Sequence, residues 1–238
     1  GSSPSFTNTT GSNAVTVNTA ALVITGATTV ASYTGSTQTN TYSVTGLLSG
    51  TGITDAVSDV SGKASGTNAS SSAYADSLSS ATGTNLSNYS ITYTNGSLRI
   101  NPIQLGISLA ATYNGTTTFR LTNSSGTLQT LGNLSNSSAY YTNSGLAGGP
   151  NTSATLSIAG LVGSDTLSAL TVNSANASTT SYITAISGSS GATLWNGTSG
   201  NYVLNGSRNA PGTFTAGAVS GSSPSFTNTT GSNAVTVN

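Results

Sequence analysis

The first eighteen residues of the chain, GSSPSFTNTTGSNAVTVN from Gly1 to Asn18, return unchanged as Gly221 to Asn238. An identity of that length marks a tandem duplication, and it sets a period of 220 residues in a chain of 238. Whatever fold one unit adopts must join end to end with copies of itself. The shared segment must also suit both the close of one unit and the opening of the next. The sequence therefore reads as one unit of an array followed by the first residues of another.

The hydrophobic pattern inside the unit has the period of β-structure. Ile103, Leu105, Ile107 and Leu109 alternate with other residues, which places them on one face of a strand. In NYSITYTNGSLRIN, Asn95-Gly96 is the favoured pair for a two-residue type I′ turn, so a hairpin is expected in which Tyr93 faces Leu98, Ile91 faces Ile100, and Thr92 pairs with Arg99. No stretch has a convincing helical period. Ala69–Ala81, the best candidate, is so rich in Ser that a loop or short turn is expected there. The fold class expected from the pattern is all-β.

A second, weaker repeat lies within the unit. Tyr33-Thr34-Gly35 is matched by Tyr113-Asn114-Gly115, Gly46-Leu47-Leu48 by Gly160-Leu161-Val162, and Asn88-Tyr89 by Asn201-Tyr202. The Gly-Leu to Tyr distance is 43 residues in the first copy and 42 in the second. The preceding gap is 13 against 47, an insertion of 34 residues within 119–156. The final strand of the first copy, Ser97–Asn101, finds its counterpart only in Ala234–Asn238. The expected organisation is residues 1–18 as the closing segment of a preceding repeat, 19–102 as a first module, and 103–238 as a second module completed by 221–238. Residues 14–18 are expected to pair with another copy or not at all.

These landmarks resemble known modules. YTG, VTGLLSG and NYSITYTNGSLRINP look like the MBG domain of large bacterial surface adhesins, and YNGTT, IAGLVGSD and GNYVL are similar to the YDG domain of the same filamentous, haemagglutinin-like proteins. Asn114 stands where the second family usually has Asp. The resemblance implies two tandem β-grasp-like or immunoglobulin-like modules per 220-residue repeat. It also implies an exported bacterial protein at the cell surface or outside the cell, with no enzyme activity. Its role would be that of a stalk or filament segment in adhesion or matrix formation, with adjacent copies of itself as partners.

Composition agrees with a structural role. Lys and Arg together number four, acidic residues number four, and His, Cys and Met are absent. Such a chain has no basic patch for nucleic acid or an anionic membrane surface, and no disulfide framework. The acids are Asp55, Asp59, Asp76 and Asp165, too few and too scattered for calcium, so no cofactor or metal is expected. Asp55 and Asp59, the closest pair, read as solvated turn carboxylates rather than as a catalytic dyad. Lys63, the sole Lys, raises a rival idea, an isopeptide bond to an Asn promoted by one of the neighbouring acids. The competing functional class is a carbohydrate- or host-protein-binding module. Its contact residues would be Trp195 and the pair Tyr140-Tyr141, aromatic rings that stack on sugars when exposed; the alternative for Trp195 is a core anchor.

Overall fold

The structure, a computed structural model, describes residues 16–112, 115–142, 152–204 and 234–237. Most of the expected closing segment 1–18, Tyr113-Asn114, and the stretch 205–233 lie outside the described residues. The fold is all-β, and the only helix among the described residues is a single 3-10 turn at Leu86–Asn88.

The first half carries β1 (Ala20–Gly26), β2 (Thr28–Ser32), β3 (Gln38–Thr39), β4 (Tyr42–Thr45), β5 (Ala56–Ser61), β6 (Ser65–Gly66), β7 (Tyr74–Ala75), β8 (Ser79–Thr84), β9 (Tyr89–Thr94) and β10 (Ser97–Asn101). Two three-stranded sheets, β4-β1-β9 and β2-β10-β7, form its frame, with small ribbons β3-β6 and β5-β8 beside them. Alternation along β1 buries Leu22 and Ile24 completely and leaves Val23 turned outward. Burying one such side chain contributes ~1.5–3 kcal/mol, so this face sets the strand's orientation. The segment Ala69–Ala81 is largely loop, as expected, but it includes β7 and the start of β8.

The expected hairpin at Asn95-Gly96 does not form. β9 pairs in parallel with β1, from Ala20 opposite Tyr89 to Thr25 opposite Thr94, and β10 pairs in parallel with β2, from Thr28 opposite Ser97 to Ser32 opposite Asn101. The chain crosses from one sheet to the other at Asn95-Gly96, as it does at Gly26-Ala27, and one arch lies on the other in unbroken register. Neither Asn95 nor Gly96 has the positive φ that a type I′ turn requires. The corner is held by other groups. Asn95 Oδ1 accepts the Leu78 N–H at 2.8 Å, the Ser97 N–H donates to Ala27 O at 2.9 Å, and the Gly96 N–H donates to Asp76 Oδ2 at 2.9 Å. Buried Asp76 also accepts the Ala64 N–H at 2.6 Å and the Asn40 amide, whose Nδ2 donates to Ala27 O as well. One carboxylate thus ties both arches together.

The second half carries β11 (Ile103–Ala111), β12 (Thr118–Thr122), β13 (Leu134–Thr142), β14 (Thr152–Ala159), β15 (Leu167–Val172), β16 (Ser178–Gly188), β17 (Tyr202–Leu204) and β18 (Ala234–Val237). Its sheet runs β14-β13-β12-β15-β16-β18-β11-β17 and curls until β14 also pairs with β11, so the ladder closes into a ring. The expected alternation of β11 holds, with Leu105, Ile107 and Leu109 buried and Ile103 half-buried. The inserted interval supplies the Leu134–Thr142 strand and part of its neighbours, where the first half has only the two-residue β3 between β2 and β4.

β18 is the second copy of the repeated segment. It runs parallel to β11, with Val235 opposite Leu109, and antiparallel to β16, with Val235 opposite Ser181. In the first copy, the described residues Thr16–Asn18 belong to no strand, and Val17 is 89% exposed.

Candidate functional site

A dense set of buried polar contacts lies at the seam between the halves. One residue, Pro102, separates β10 from β11, so the end of β10 and the loop after β2 are drawn against the start of β11. Tyr33 follows β2 and reaches across the seam. Its hydroxyl donates to Asp165 Oδ2 at 2.8 Å. The Tyr202 hydroxyl donates to the same oxygen at 2.7 Å, and Ser189 Oγ donates to Oδ1 at 2.9 Å. Tyr202 is placed by the pairing of β17 with Ile103, and its hydroxyl also accepts the Val162 N–H at 3.1 Å. The two phenol rings meet edge to face, with centroids 5.6 Å apart.

Electrostatics follow from this packing. Burial, then the hydrogen bond to Asp165, pushes both the Tyr33 and Tyr202 hydroxyls well above the usual phenol range. They serve as neutral donors to a carboxylate. A second polar knot lies beside the first. Asn201 Oδ1 accepts the Ala69 N–H at 2.8 Å, and its Nδ2 donates to Asn68 Oδ1 at 3.0 Å and Gly191 O at 2.9 Å. The Ser71 N–H donates to Thr198 O at 2.9 Å. The hydrophobic cluster is also continuous here, with Tyr33, Leu98 and Ile100 packing with Leu105, Trp195 and Tyr202.

The residues proposed for sugar stacking do not form a platform. Trp195 is 3% exposed and Tyr141 is 1% exposed, both in the core, and Tyr140 is half-buried. The exposure that stacking requires is absent at the first two. The Trp195 side chain packs in the hydrophobic cluster while its backbone N–H donates to Tyr202 O at 2.7 Å, and Asn196 closes the tight turn by accepting the Thr198 and Ser199 N–H groups. Tyr141 faces inward on β13, edge to face with Phe119, with its hydroxyl on Thr112 O. A shallow depression of about 340 Å³ at the seam is lined by Asn68, Asn196, Ser199 and Asn201 together with the apolar Ala69 and Leu194.

Asp59 is exposed and paired with Lys63, whose ammonium also lies over the Tyr42 ring. The Lys63 side chain therefore ends on a carboxylate rather than on an asparagine amide. Asp55 is less solvated than a plain turn carboxylate, because it accepts the Tyr89 hydroxyl at 2.6 Å and Asn85 Nδ2 at 2.8 Å. Those two donors hold its carboxyl below the usual range. Sequence reasoning passed over Asp76 and Asp165 as structural centres. A weak signal was present for Asp165, which follows Gly160 by five residues where Asp55 follows Gly46 by nine. Among the described residues no group of three or more acidic, His or Cys side chains could hold a metal ion. No helix among them is long and apolar enough to cross a membrane.

The fold and seam define an all-β chain of two halves, one built on two three-stranded sheets and one on a ring-closed sheet, joined by buried polar and apolar contacts. No family model, no curated protein and no solved structure matches the chain.

Proposed function

We propose that this chain is a structural repeat of a large, tandemly repeated bacterial surface or extracellular protein of the MBG/YDG adhesin type, acting as a stalk or filament segment. The observation that carries the reading is the double use of one sequence. Ala234–Val237 is built into the ladder between β11 and β16, whereas Thr16 and Val17, the described residues of its duplicate, belong to no strand and Val17 is exposed. A segment that closes one unit and then leads into the next has this dual character. Modules that fold as units and touch mainly their neighbours suit a load-bearing array. A neutral surface, with 3% charged residues overall, lets identical copies lie close without mutual repulsion.

Electron microscopy of chains carrying one, two and four repeats tests this. Rods that lengthen by a constant increment per repeat are expected. Globules whose length does not scale with repeat number would overturn it.

A further inference from the structure

We propose that the end of the first half formed by Leu47, Leu48, Ile53, Asp55 and Tyr89 is a docking surface for the second half of an adjoining copy of this chain. The proposal rests on the array reading and goes beyond it, because an array can be jointed as readily as stiff.

The internal seam provides the template. Tyr202 stands opposite Ile103, the first residue of β11, and Tyr89 stands opposite Ala20, the first residue of β1. The Tyr202 hydroxyl accepts the Val162 N–H and donates to Asp165. The Tyr89 hydroxyl accepts the Leu48 N–H at 3.0 Å and donates to Asp55 at 2.6 Å. The backbone beneath matches too. Gly160, at φ 101°, lies against Gln104 O, and Gly46, at φ 95°, lies against Ala21 O, so close that a side chain fits neither place. The same Tyr–Asp clasp therefore surrounds the point where the chain enters each half.

The two clasps differ in what covers them. The one in the second half is capped by the first half. Tyr33 gives Asp165 a further hydroxyl donor, Gly35 packs on Gly163, and Leu161 is 6% exposed. In the first half the corresponding Leu47 is half-buried, Leu48 is 53% exposed and Ile53 is 42% exposed. Asp55 is half-buried where Asp165 is buried. Two exposed aliphatic side chains beside a carboxylate make an apolar patch with an acceptor at its edge.

The chain carries the matching cap. Tyr33-Thr34-Gly35 follows β2, and Tyr113-Asn114-Gly115 follows β11. Gly35 has φ 76° and Gly115 has φ 74°. Tyr113 itself lies outside the described residues, and its assignment rests on this place in the sequence. Linker length points to the same occupant. Pro102 alone joins β10 to β11. Val237 corresponds to Val17 in the duplicate, so only Asn18 and Thr19 would join the last strand of one copy to β1 of the next. A two-residue connection holds the capping end beside the clasp.

The chain has no Cys, so an introduced pair reports this contact cleanly. In a chain of two repeats, Thr116→Cys in the first and Ser49→Cys in the second occupy positions equivalent to Ser36 and Gly163 at the internal seam. Rapid disulfide formation within one molecule is expected, with Leu48→Asp in the second repeat slowing it ~10-fold, the equivalent of ~1.4 kcal/mol of docking. A single repeat carrying Leu48→Asp should melt as the parent does, because residue 48 is exposed. Cross-linking no faster than that of a pair placed on an outward face of the second repeat, Thr116→Cys with Ser58→Cys, would overturn the proposal. Rods seen by microscopy together with that slow rate would leave the stalk reading intact and remove the docking surface alone.

Discussion

Asp165 accepts hydrogen bonds from Tyr33, Tyr202 and Ser189 in a site where water is scarce. Removing the acceptor strands buried hydroxyls that have exchanged water for this carboxylate. Asp165→Ala is therefore expected to cost about 3 kcal/mol or more, and Asp165→Asn, which keeps one acceptor oxygen, about 1–2 kcal/mol. Urea unfolding followed through Trp195, the sole Trp, measures both. An unchanged midpoint for the Ala variant would show the seam to be energetically idle. Gly26 is constrained from the other direction. A Cβ there would collide with the Asp76 carboxylate and lie 2.6 Å from the Gly96 nitrogen. Gly26→Ala should thus destabilise the first half by about 2–3 kcal/mol, although β-strand propensity alone favours Ala over Gly. A gain in melting temperature would refute the role assigned to the arch.

At the level of elements, alternation identified the strands but not their partners. Ile91, Tyr93, Leu98 and Ile100 turn inward whether Asn95-Gly96 makes a hairpin or an arch. In a hairpin they share one face of one sheet; here β9 and β10 lie in different sheets. The residues that decide between the two, Asp76, Asn40 and Leu78, are 17 to 55 positions away from Asn95, beyond the reach of a local turn rule. The Tyr33–Asp165 bond joins residues 132 apart and was equally hidden. The duplicated segment was readable because identity between two stretches needs no geometry. Its structural role yields a further expectation. A chain ending at residue 220 lacks β18, leaving the facing edges of β11 and β16 unpaired. Amide exchange at Leu109–Ala111 and Ser181-Tyr182 should then accelerate at least ~10-fold, while β1 and β9 keep their protection. Equal exchange in the long and short chains would show that β18 does not hold the ring closed.

For the molecule as a whole, few side chains respond to pH. With no His, no side-chain type present has its ordinary value between about pH 5 and pH 9, so stability should be flat across that range. Above it the sign is fixed by Tyr33 and Tyr202. Their folded ionisation lies above the unfolded value of about 10, so the unfolded state loses protons first and stability falls as pH rises past about 10. Urea midpoints measured across alkaline pH should show that slope, and the double variant Tyr33→Phe, Tyr202→Phe should reduce it, leaving the smaller contribution of Tyr89, which its bond to Asp55 also raises. Parallel pairing has a consequence of another kind. The chain enters the first half on β1-β2 and leaves it on β9-β10, strands that run side by side in the same direction; in the second half it enters on β11 and ends on its parallel neighbour β18. Tension applied to the two ends of either half slides these neighbours past each other lengthwise. The ladder bonds then share the load and must yield together instead of unzipping singly. Single-molecule pulling should therefore record high, uniform rupture forces, and a circular permutant opened between β4 and β5 should give way at much lower ones. A chain of such halves would keep its length under tension until it failed a whole half at a time.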